Sequence, residues 1–233
     1  PETAMILAAG LGTRMGALTR ATAKPLLRAG GRALIDHALD AAEAAGVRRA
    51  VVNVHWCADQ VRAHLAARAR PEIAISDESA ALLETGGGVA KARPLLGEAP
   101  VYVANSDAVF GGPAPLPLLA EAWDEGRMDA LLLLVPRAAA RAYSRAGDFT
   151  LGADGRPARR GAAATAPWVY AGAQIVRPGV FAGEGAFSAN PVWDRLLAEG
   201  RLFAAVHPGP WVDVGTPEGL AEADALLAAE GAG

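Results

Sequence analysis

The chain has 233 residues, of which 52% are hydrophobic and 20% charged, and its formal net charge is -3. This composition is typical of a single globular domain with a well-buried core. The slight acidic excess argues against binding to nucleic acid or to an anionic membrane, because both require a basic surface. The single cysteine excludes an internal disulfide, and no apolar run approaches the length of a membrane span. Because PETAMILAAG has no basic residues before its apolar run, we expect no signal peptide and a cytoplasmic location.

The first part of the chain alternates short apolar runs with helical patterns. Strands are predicted at MILAA, AVVNVHW, EIAIS, VYVAN and DALLLLV, and helices between them at ALIDHALDAAEAAG, ADQVRAHLAARA, GGGVAKARPLL and LPLLAEAWDEG. The helix that begins at the three glycines is expected to stop around Pro94. This alternation predicts an α/β fold with a mostly parallel, mixed sheet and helices on both faces.

The composition changes at about Ala138, where the chain becomes rich in Arg, Ala, Gly and Pro. This segment predicts short antiparallel strands rather than further crossovers. Strands follow at WVYAGAQIV, LFAAVHP and WVDVG, with a helix at NPVWDRLLAEG and a closing helix that begins near Pro217. We therefore predict one domain over residues 1–233, with an excursion around 138–210.

The segment GLGTRMG, directly after the first strand, is a candidate phosphate site. Gly10 and Gly12 lack the Cβ atoms that would hold a phosphate away from backbone N–H groups, and Arg14 and Lys24 add positive charge. Lys24 precedes Pro25, which predicts an extended conformation at the lysine. The dinucleotide site of an oxidoreductase is disfavoured, because the second strand ends in NVHW without a carboxylate.

Two carboxylates and a glycine run mark further loops at strand ends. Asp107 in VANSD and Asp213 in WVDVG are candidate Mg²⁺ ligands, since this ion is typically held by one or two carboxylates and substrate phosphates. The alternatives are that Asp213 caps the closing helix and that Asp107 is a turn residue. The glycines of LETGGG permit close approach to the backbone, as a nucleobase requires, or else form a hairpin or cap.

Together these segments resemble the signature of the sugar-1-phosphate nucleotidyltransferases. LAAGLGTRMGALTRATAKPLL, LETGGG, NSD, YAG and WVDVGTPEGLAEAD occur in the order of that family. The resemblance implies a Rossmann-like nucleotidyltransferase fold, Mg²⁺ as cofactor, and a nucleoside triphosphate and a sugar-1-phosphate as substrates. It is greatest to short members that use UTP and N-acetylmuramate-1-phosphate in peptidoglycan recycling. A mannose-1-phosphate guanylyltransferase or another hexose-1-phosphate nucleotidyltransferase is the alternative activity, and a non-catalytic nucleotide-sugar sensor is the alternative of another class.

The resemblance also implies a role for each matching residue. Arg14 and Lys24 are the implied catalytic residues, Asp107 and Asp213 the implied Mg²⁺ ligands, and Gly172 the residue that leaves room for the sugar. The family's EKP-like motif, which supplies a lysine for the sugar phosphate, has no counterpart here; Asp148, Arg159 and Arg160 are the candidate replacements. The implied nucleotide-binding residues are Ala8, Ala9, Gly10, Gly12, Thr13, Arg14, Glu84, Thr85, Gly86, Gly87 and Asn105.

Overall fold

The computed structural model describes residues 1–231, so positions 232 and 233 of the predicted domain lie outside the described residues. The helices are α1 (Leu34–Ala44), α2 (Ala58–Leu65), α3 (Glu84–Leu96), α4 (Pro115–Ala122), α5 (Asn190–Ala198) and α6 (Pro217–Gly231). The strands are β1 (Thr3–Leu7), β2 (Arg28–Ala29), β3 (Arg32–Ala33), β4 (Arg49–Val54), β5 (Glu72–Asp77), β6 (Val101–Asn105), β7 (Ala108–Phe110), β8 (Ala130–Pro136), β9 (Ala140–Arg141), β10 (Phe149–Leu151), β11 (Pro157–Arg159), β12 (Trp168–Val176), β13 (Leu202–Val206) and β14 (Trp211–Asp213). Short 3-10 helices span Thr13–Thr19, Lys24–Leu26, Arg137–Ala139 and Pro178–Val180.

The largest sheet is mixed, and its strands follow the order β5, β4, β1, β6, β12, with β8 and β13 continuing beyond β12. The first four of these strands run parallel, as do β8 and β13, whereas β12 is antiparallel to both of its long neighbours. In the excursion, β10 and β11 form the antiparallel hairpin that its composition predicts. The predicted α/β class with a mixed sheet is confirmed.

Alternating side chains of the strands build an apolar layer on each face of this sheet. In β1, Ala4 and Ile6 belong to one cluster, which also contains residues of α1, α2 and α4, and Met5 belongs to the other, with residues of α3 and α5. Each large apolar side chain buried in this way contributes about 1.5–3 kcal/mol. Helices therefore cover both faces, as predicted, and the loops at the carboxyl ends of the parallel strands remain free to form a site.

A third apolar cluster joins the end of the chain to the loop after β1. It contains Met15 of the glycine-rich segment, Val109 of β7, Val212 of β14 and Leu226 of α6. Strand β14 pairs with β7 in a small separate sheet. This packing brings the predicted metal ligand at the end of β14 close to the glycine-rich loop, although about 200 residues separate them in sequence.

Helix α3 differs from its prediction at both ends. It begins before the three glycines and continues past Pro94 to Leu96. Proline removes one backbone hydrogen bond and crowds the preceding turn. Burial of Val89, Ala92 and Leu96 against the sheet outweighs that local cost. Within residues 1–231, none of the helices is long and apolar enough to cross a membrane.

Candidate active site

The phosphate loop, residues 8–14, follows β1 and is held by the ends of the neighbouring strands. The backbone N–H of Ala8 donates to Oδ1 of Asn53 at 2.7 Å, and the hydroxyl of Ser106 donates to the carbonyl of Leu7 at 2.8 Å. Gly12 has a φ of +65°, and a Cβ at this position would lie 3.0 Å from the Cβ of Lys24. The loop therefore closes over the lysine because position 12 carries no side chain.

Lys24 lies beneath the phosphate loop and is only 8% exposed. It begins the 3-10 helix Lys24–Leu26, so the extended conformation predicted at this residue is wrong, and the extended residue is Ala23. Pro25 is compatible with this turn because the first positions of a helix need no N–H donor. The ammonium group of Lys24 forms an ion pair with Asp107. A buried cation is thus fixed between the phosphate loop and a predicted metal ligand.

Asp107 and Asp213 lie on adjacent backbone segments. Asp107 is in the turn between β6 and β7, and Asp213 pairs with Ala108 in the antiparallel ladder of β14 and β7. Burial raises the pKa of Asp213, and the charge of Asp107 raises it further, while Lys24 and Arg145 act in the opposite direction. The two carboxylates therefore repel each other in one partly desolvated place, and a cation bound between them would relieve that repulsion.

Two cavities meet beside these residues. The first, of about 330 Å³, is bounded by the phosphate loop, Lys24 and the start of α3. The second, of about 360 Å³, extends toward β10, β11, β12 and α5. The residues that line both cavities are Arg14, Thr85, Asn105 and Asp107. This arrangement provides room for two ligands whose reacting ends meet at a common wall.

The second cavity is lined by charged and aromatic side chains. Arg145 donates to Oδ2 of Asp213 at 3.3 Å, which places a guanidinium beside the carboxylate pair. Asp148 accepts a hydrogen bond at Oδ2 from the backbone N–H of Tyr170 at 3.0 Å. Arg159 and Trp193 line the same cavity. This region is therefore suited to a polar ligand with negative charge and a face that packs on aromatic rings.

Gly172 interrupts strand β12 at the wall of the second cavity. The pairing of β12 with β8 shifts register between Tyr170 and Gln174, and Gly172 has a φ of +78°. A Cβ at Gly172 would lie 2.8 Å from Nδ2 of Asn105. The glycine thus serves a bulge and a close contact within the protein, in addition to lining the space predicted for the sugar.

Comparison with known proteins identifies the family to which this chain belongs. Residues 4–203 match the model of the MobA-like NTP transferase domain. The chain belongs to this nucleotidyltransferase family. Among its relatives, it is 46% identical to an N-acetylmuramate alpha-1-phosphate uridylyltransferase of Caulobacter vibrioides, with 98% of each chain covered. It is 36% identical to the protein of the same name from Neisseria meningitidis, over 97% of this chain and 98% of that one.

The solved structures agree with the family assignment at the level of the fold. The inositol-1-phosphate CTP transferase from T. maritima superposes with a TM-score of 0.81 at 16% identity, covering 97% of this chain and 95% of that chain. The expected nucleotidyltransferase fold is thereby confirmed. The relatives that match almost the whole chain confirm the resemblance to the sugar-1-phosphate nucleotidyltransferases.

The structure of this nucleotidyltransferase brings most of the predicted site residues around the two cavities. Their individual roles stay predictions. The first cavity is lined by Ala8, Ala9, Gly10, Gly12, Thr13, Arg14, Lys24, Glu84, Thr85, Asn105 and Asp107. The second is lined by Arg14, Thr85, Asn105, Asp107, Asp148, Gly172 and Asp213. Arg160, in contrast, directs its guanidinium to the carbonyl of Ala163 in the following turn.

Gly86 and Gly87 are packed against another segment of the chain. A Cβ on Gly86 would lie 2.5 Å from the ring of Phe187, and one on Gly87 would lie 2.2 Å from the carbonyl oxygen of Gly185. The N–H of Gly87 also donates to the carbonyl of Phe187 at 3.0 Å. The close approach that these glycines permit is made by the protein itself rather than by the predicted nucleobase. Glu84 and Thr85 are the residues of this motif that line the first cavity.

Two buried polar residues in the wall of the first cavity are absent from the predicted site residues. Nδ2 of Asn53 donates to Oε1 of Glu78 at 2.8 Å, and Glu78 is 1% exposed. Asn53 lies near the carboxyl end of β4 and Glu78 directly follows β5. Because ligands bind beyond the carboxyl ends of parallel strands, the criterion that selected Asp107 would also have selected these two residues.

The carboxylate pair fits the Mg²⁺ ion that the family implies. Mg²⁺ prefers oxygen ligands and is usually held by one or two carboxylates together with substrate phosphates. Within residues 1–231, no group of three or more His, Cys, Asp or Glu side chains is arranged to hold a metal. Asp107 and Asp213 supply two carboxylates, and burial together with the charge of Asp107 raises the pKa of Asp213. This donor set suits an ion that takes its remaining ligands from phosphate oxygens.

Proposed function

We propose that this nucleotidyltransferase makes UDP-N-acetylmuramate and pyrophosphate from UTP and N-acetylmuramate-1-phosphate. In this reaction a phosphate oxygen of the sugar-1-phosphate attacks the α-phosphorus of UTP and forms a new P–O bond. The bond between the α-phosphorus and the oxygen that bridges to the β-phosphorus breaks, and pyrophosphate leaves. No proton transfer to carbon and no redox step is required, so positioning and charge stabilisation carry most of the catalysis.

The observation that carries the reaction type is the common wall of the two cavities. Arg14 and Asp107 line both, and Lys24 forms an ion pair with Asp107 at that wall. A triphosphate in the first cavity and a sugar phosphate in the second would therefore meet beside one buried ammonium and one guanidinium. Two anions held together in this way have a lower barrier to reaction, because their mutual repulsion is offset by fixed positive charge.

The nucleotide is proposed to occupy the first cavity. An ideal Cβ at Gly10 meets no atom of the described chain within 4 Å, so this part of the phosphate loop is open to a ligand. Backbone groups from Ala8 to Thr13 would hold the triphosphate, with Arg14 beside it. Glu84, Thr85 and Asn105 would contact the nucleoside.

Lys24 and the carboxylate pair are proposed to act at the reacting phosphates. The ammonium of Lys24 would stabilise the charge that accumulates on the α-phosphate as the new bond forms. Asp107 and Asp213 would hold Mg²⁺, which when bound neutralises charge on the phosphate oxygens. The ion pair between Lys24 and Asp107 also keeps the lysine in position in the free protein.

The sugar is proposed to occupy the second cavity, which the excursion over residues 138–210 largely lines. Asp148 is fixed by its hydrogen bond from Tyr170 and would accept hydrogen bonds from sugar hydroxyls. Gly172 leaves the wall of this cavity without a side chain. Arg145 is the cation of this cavity nearest the carboxylate pair and would bind the sugar phosphate where relatives use a lysine.

The identity of the substrates rests on similarity along almost the whole chain. Two relatives named as N-acetylmuramate alpha-1-phosphate uridylyltransferases match 97–98% of this chain. Such an activity supplies a nucleotide sugar for peptidoglycan from recycled sugar phosphate, and we propose a cytoplasmic location for it.

The test is pyrophosphate release across a matrix of substrates. UTP, GTP, CTP, ATP and dTTP are each combined with N-acetylmuramate-1-phosphate, glucose-1-phosphate or mannose-1-phosphate, with Mg²⁺ or with a chelator. We expect the highest kcat/KM for UTP with N-acetylmuramate-1-phosphate, and no activity with the chelator. A higher kcat/KM for GTP with mannose-1-phosphate would support the proposed reaction type but contradict the proposed substrates. If no combination releases pyrophosphate while the protein still binds nucleotide sugars, the protein is a non-catalytic sensor.

A further inference from the structure

The second cavity is also lined by an arginine that the proposed reaction does not use. Arg159, the last residue of β11, lines this cavity together with Phe149 and Trp193. Its guanidinium carbon lies 4.9 Å from the ring centroid of Phe149 and 5.6 Å from that of Trp193. The group therefore rests on two aromatic side chains that form part of the cavity wall.

This arginine is held in place by contacts with α5. Its Nε donates to Oδ1 of Asp194 at 2.7 Å, and its Nη2 donates to the carbonyl of Asn190 at 3.2 Å. A guanidinium has five N–H donors. Among the described residues these two contacts engage one edge of the group, and Nη1 makes no hydrogen bond to the protein. An arginine fixed in this way loses little further conformational freedom when it binds an anion.

The aromatic platform beneath the arginine is itself fixed. The indole N–H of Trp193 donates to Oε1 of Gln174 at 3.1 Å, and Gln174 is completely buried. The rings of Trp193 and Tyr170 lie edge to face, with centroids 4.8 Å apart. Rigid support of a binding group is a feature of sites that select ligands by geometry.

We propose that Arg159 selects the sugar by binding the lactyl carboxylate of N-acetylmuramate; this inference rests on the proposed function. N-acetylmuramate differs from N-acetylglucosamine by one group, a lactyl ether on O3 that ends in a carboxylate. The second cavity would thus bind two anionic groups with two arginines. Arg145 lies beside Asp213, and Arg159 lies against Phe149 and Trp193 in the wall of the same cavity. A planar guanidinium matches a carboxylate in shape and charge, whereas neutral hexoses offer it only hydroxyl groups.

The test compares N-acetylmuramate-1-phosphate with N-acetylglucosamine-1-phosphate, each with UTP, in the wild-type protein and in Arg159→Met. The measured quantity is the ratio of kcat/KM for the two sugars. Because a charged hydrogen bond is lost with only one of them, we expect this ratio to fall roughly tenfold to a hundredfold in Arg159→Met. Methionine keeps much of the apolar stem that packs on the rings.

Arg160→Met is the matched control, since it removes the neighbouring arginine, whose guanidinium contacts Ala163. We expect it to keep the wild-type ratio. If Arg159 only fastened β11 to α5, its replacement would lower both kcat/KM values together and leave the ratio unchanged, and that result would overturn the inference. An equal loss of selectivity in Arg160→Met would overturn it as well.

A second measurement needs no variant and covers the case in which Arg159→Met does not fold. The wild-type protein is assayed with the methyl ester of the lactyl carboxylate, which removes the charge and keeps the size. We expect kcat/KM at least tenfold lower for the ester than for the acid, and equal values would overturn the inference. If the wild-type protein does not use N-acetylmuramate-1-phosphate with UTP, the proposed function fails and this inference fails with it. If it does, an unchanged ratio rejects the role of Arg159 alone.

Discussion

Gly215 controls the position of Arg14 and offers a sharp test of the site. An ideal Cβ at Gly215 would lie 2.6 Å from Nη2, 2.8 Å from Cζ and 2.9 Å from Nη1 of Arg14. Gly215 does not adopt a left-handed backbone conformation, so an alanine there introduces no backbone strain. Gly215→Ala therefore acts on one proposed catalytic group and leaves the backbone unchanged.

The size of the expected effect follows from these contacts. Ordinary contacts between such heavy atoms are about 3.5–4 Å, so the guanidinium of Arg14 must move by roughly 1 Å. A displacement of that size in a group that positions a reacting atom costs up to about a hundredfold in rate. We expect kcat to fall about 10- to 100-fold in Gly215→Ala, with a melting temperature close to that of the wild-type protein because a flexible side chain relieves the clash.

The assay is steady-state pyrophosphate release together with thermal unfolding. Gly179→Ala is the control, because its Cβ would meet no atom of the described chain closer than 3.6 Å, and we expect normal kcat and equal or higher stability. Combining Gly215→Ala with Arg14→Ala should give the rate of Arg14→Ala alone, since the alanine acts only through that arginine. A kcat of Gly215→Ala within twofold of the wild-type value would contradict the proposed role of Arg14.

Three further predictions concern charge. Lys24→Ala should lower kcat roughly 100- to 1,000-fold in pyrophosphate release, because a preorganised cation at the reacting phosphates is lost; a folded variant with nearly normal kcat would exclude this role. Asp213→Asn removes a carboxylate whose pKa is raised by burial and by Asp107. The melting temperature of the metal-free protein should therefore rise by about 2–4 °C, which corresponds to about 1 kcal/mol in the free energy of unfolding. Mg²⁺-dependent activity should fall at least tenfold. A lower melting temperature would contradict the proposed repulsion. Arg201 donates hydrogen bonds to both carboxylate oxygens of Asp129 at 3.0 Å and lowers the pKa of that carboxyl group. The ion pair therefore stabilises the fold at pH values above the unfolded pKa of about 3.9, and this stabilisation is lost as the pH falls through the lowered pKa of the folded state. Urea unfolding should therefore show Asp129→Asn to be ~1–2 kcal/mol less stable at neutral pH and equal to wild type near pH 2, whereas a pH-independent difference would contradict this account.

The fold was predictable because its signals are local. The continuous apolar run of β1 reflects burial on both faces, with Ala4 and Ile6 in one layer and Met5 in the other, and the helical patterns between such runs indicate crossovers. The position of Asp107 at the end of a buried strand is a signal of the same kind. Such features depend on neighbours in sequence, and the structure agrees with them.

The remaining features depend on contacts between distant segments. Gly86 is a glycine because Phe187, about 100 residues later, packs on its backbone, and no local pattern distinguishes this from a ligand contact. Pro94 stays within a helix because burial of its neighbours outweighs its local preference. Arg159 and Arg160 are adjacent in sequence and equal candidates for the sugar phosphate, and only the pairing of β10 with β11 and the contacts with α5 bring Arg159 to the second cavity.

We propose that this site transfers UMP to N-acetylmuramate-1-phosphate. The most direct measurement uses two parallel reactions with this sugar phosphate and Mg²⁺, one with α-³²P-UTP and one with γ-³²P-UTP, and identifies the labelled products of each. We expect the α label in UDP-N-acetylmuramate and the γ label in pyrophosphate, in equal amounts. Release of the γ label as inorganic phosphate, or an α label that stays in UTP while wild-type protein is folded and binds nucleotide, would contradict this proposal.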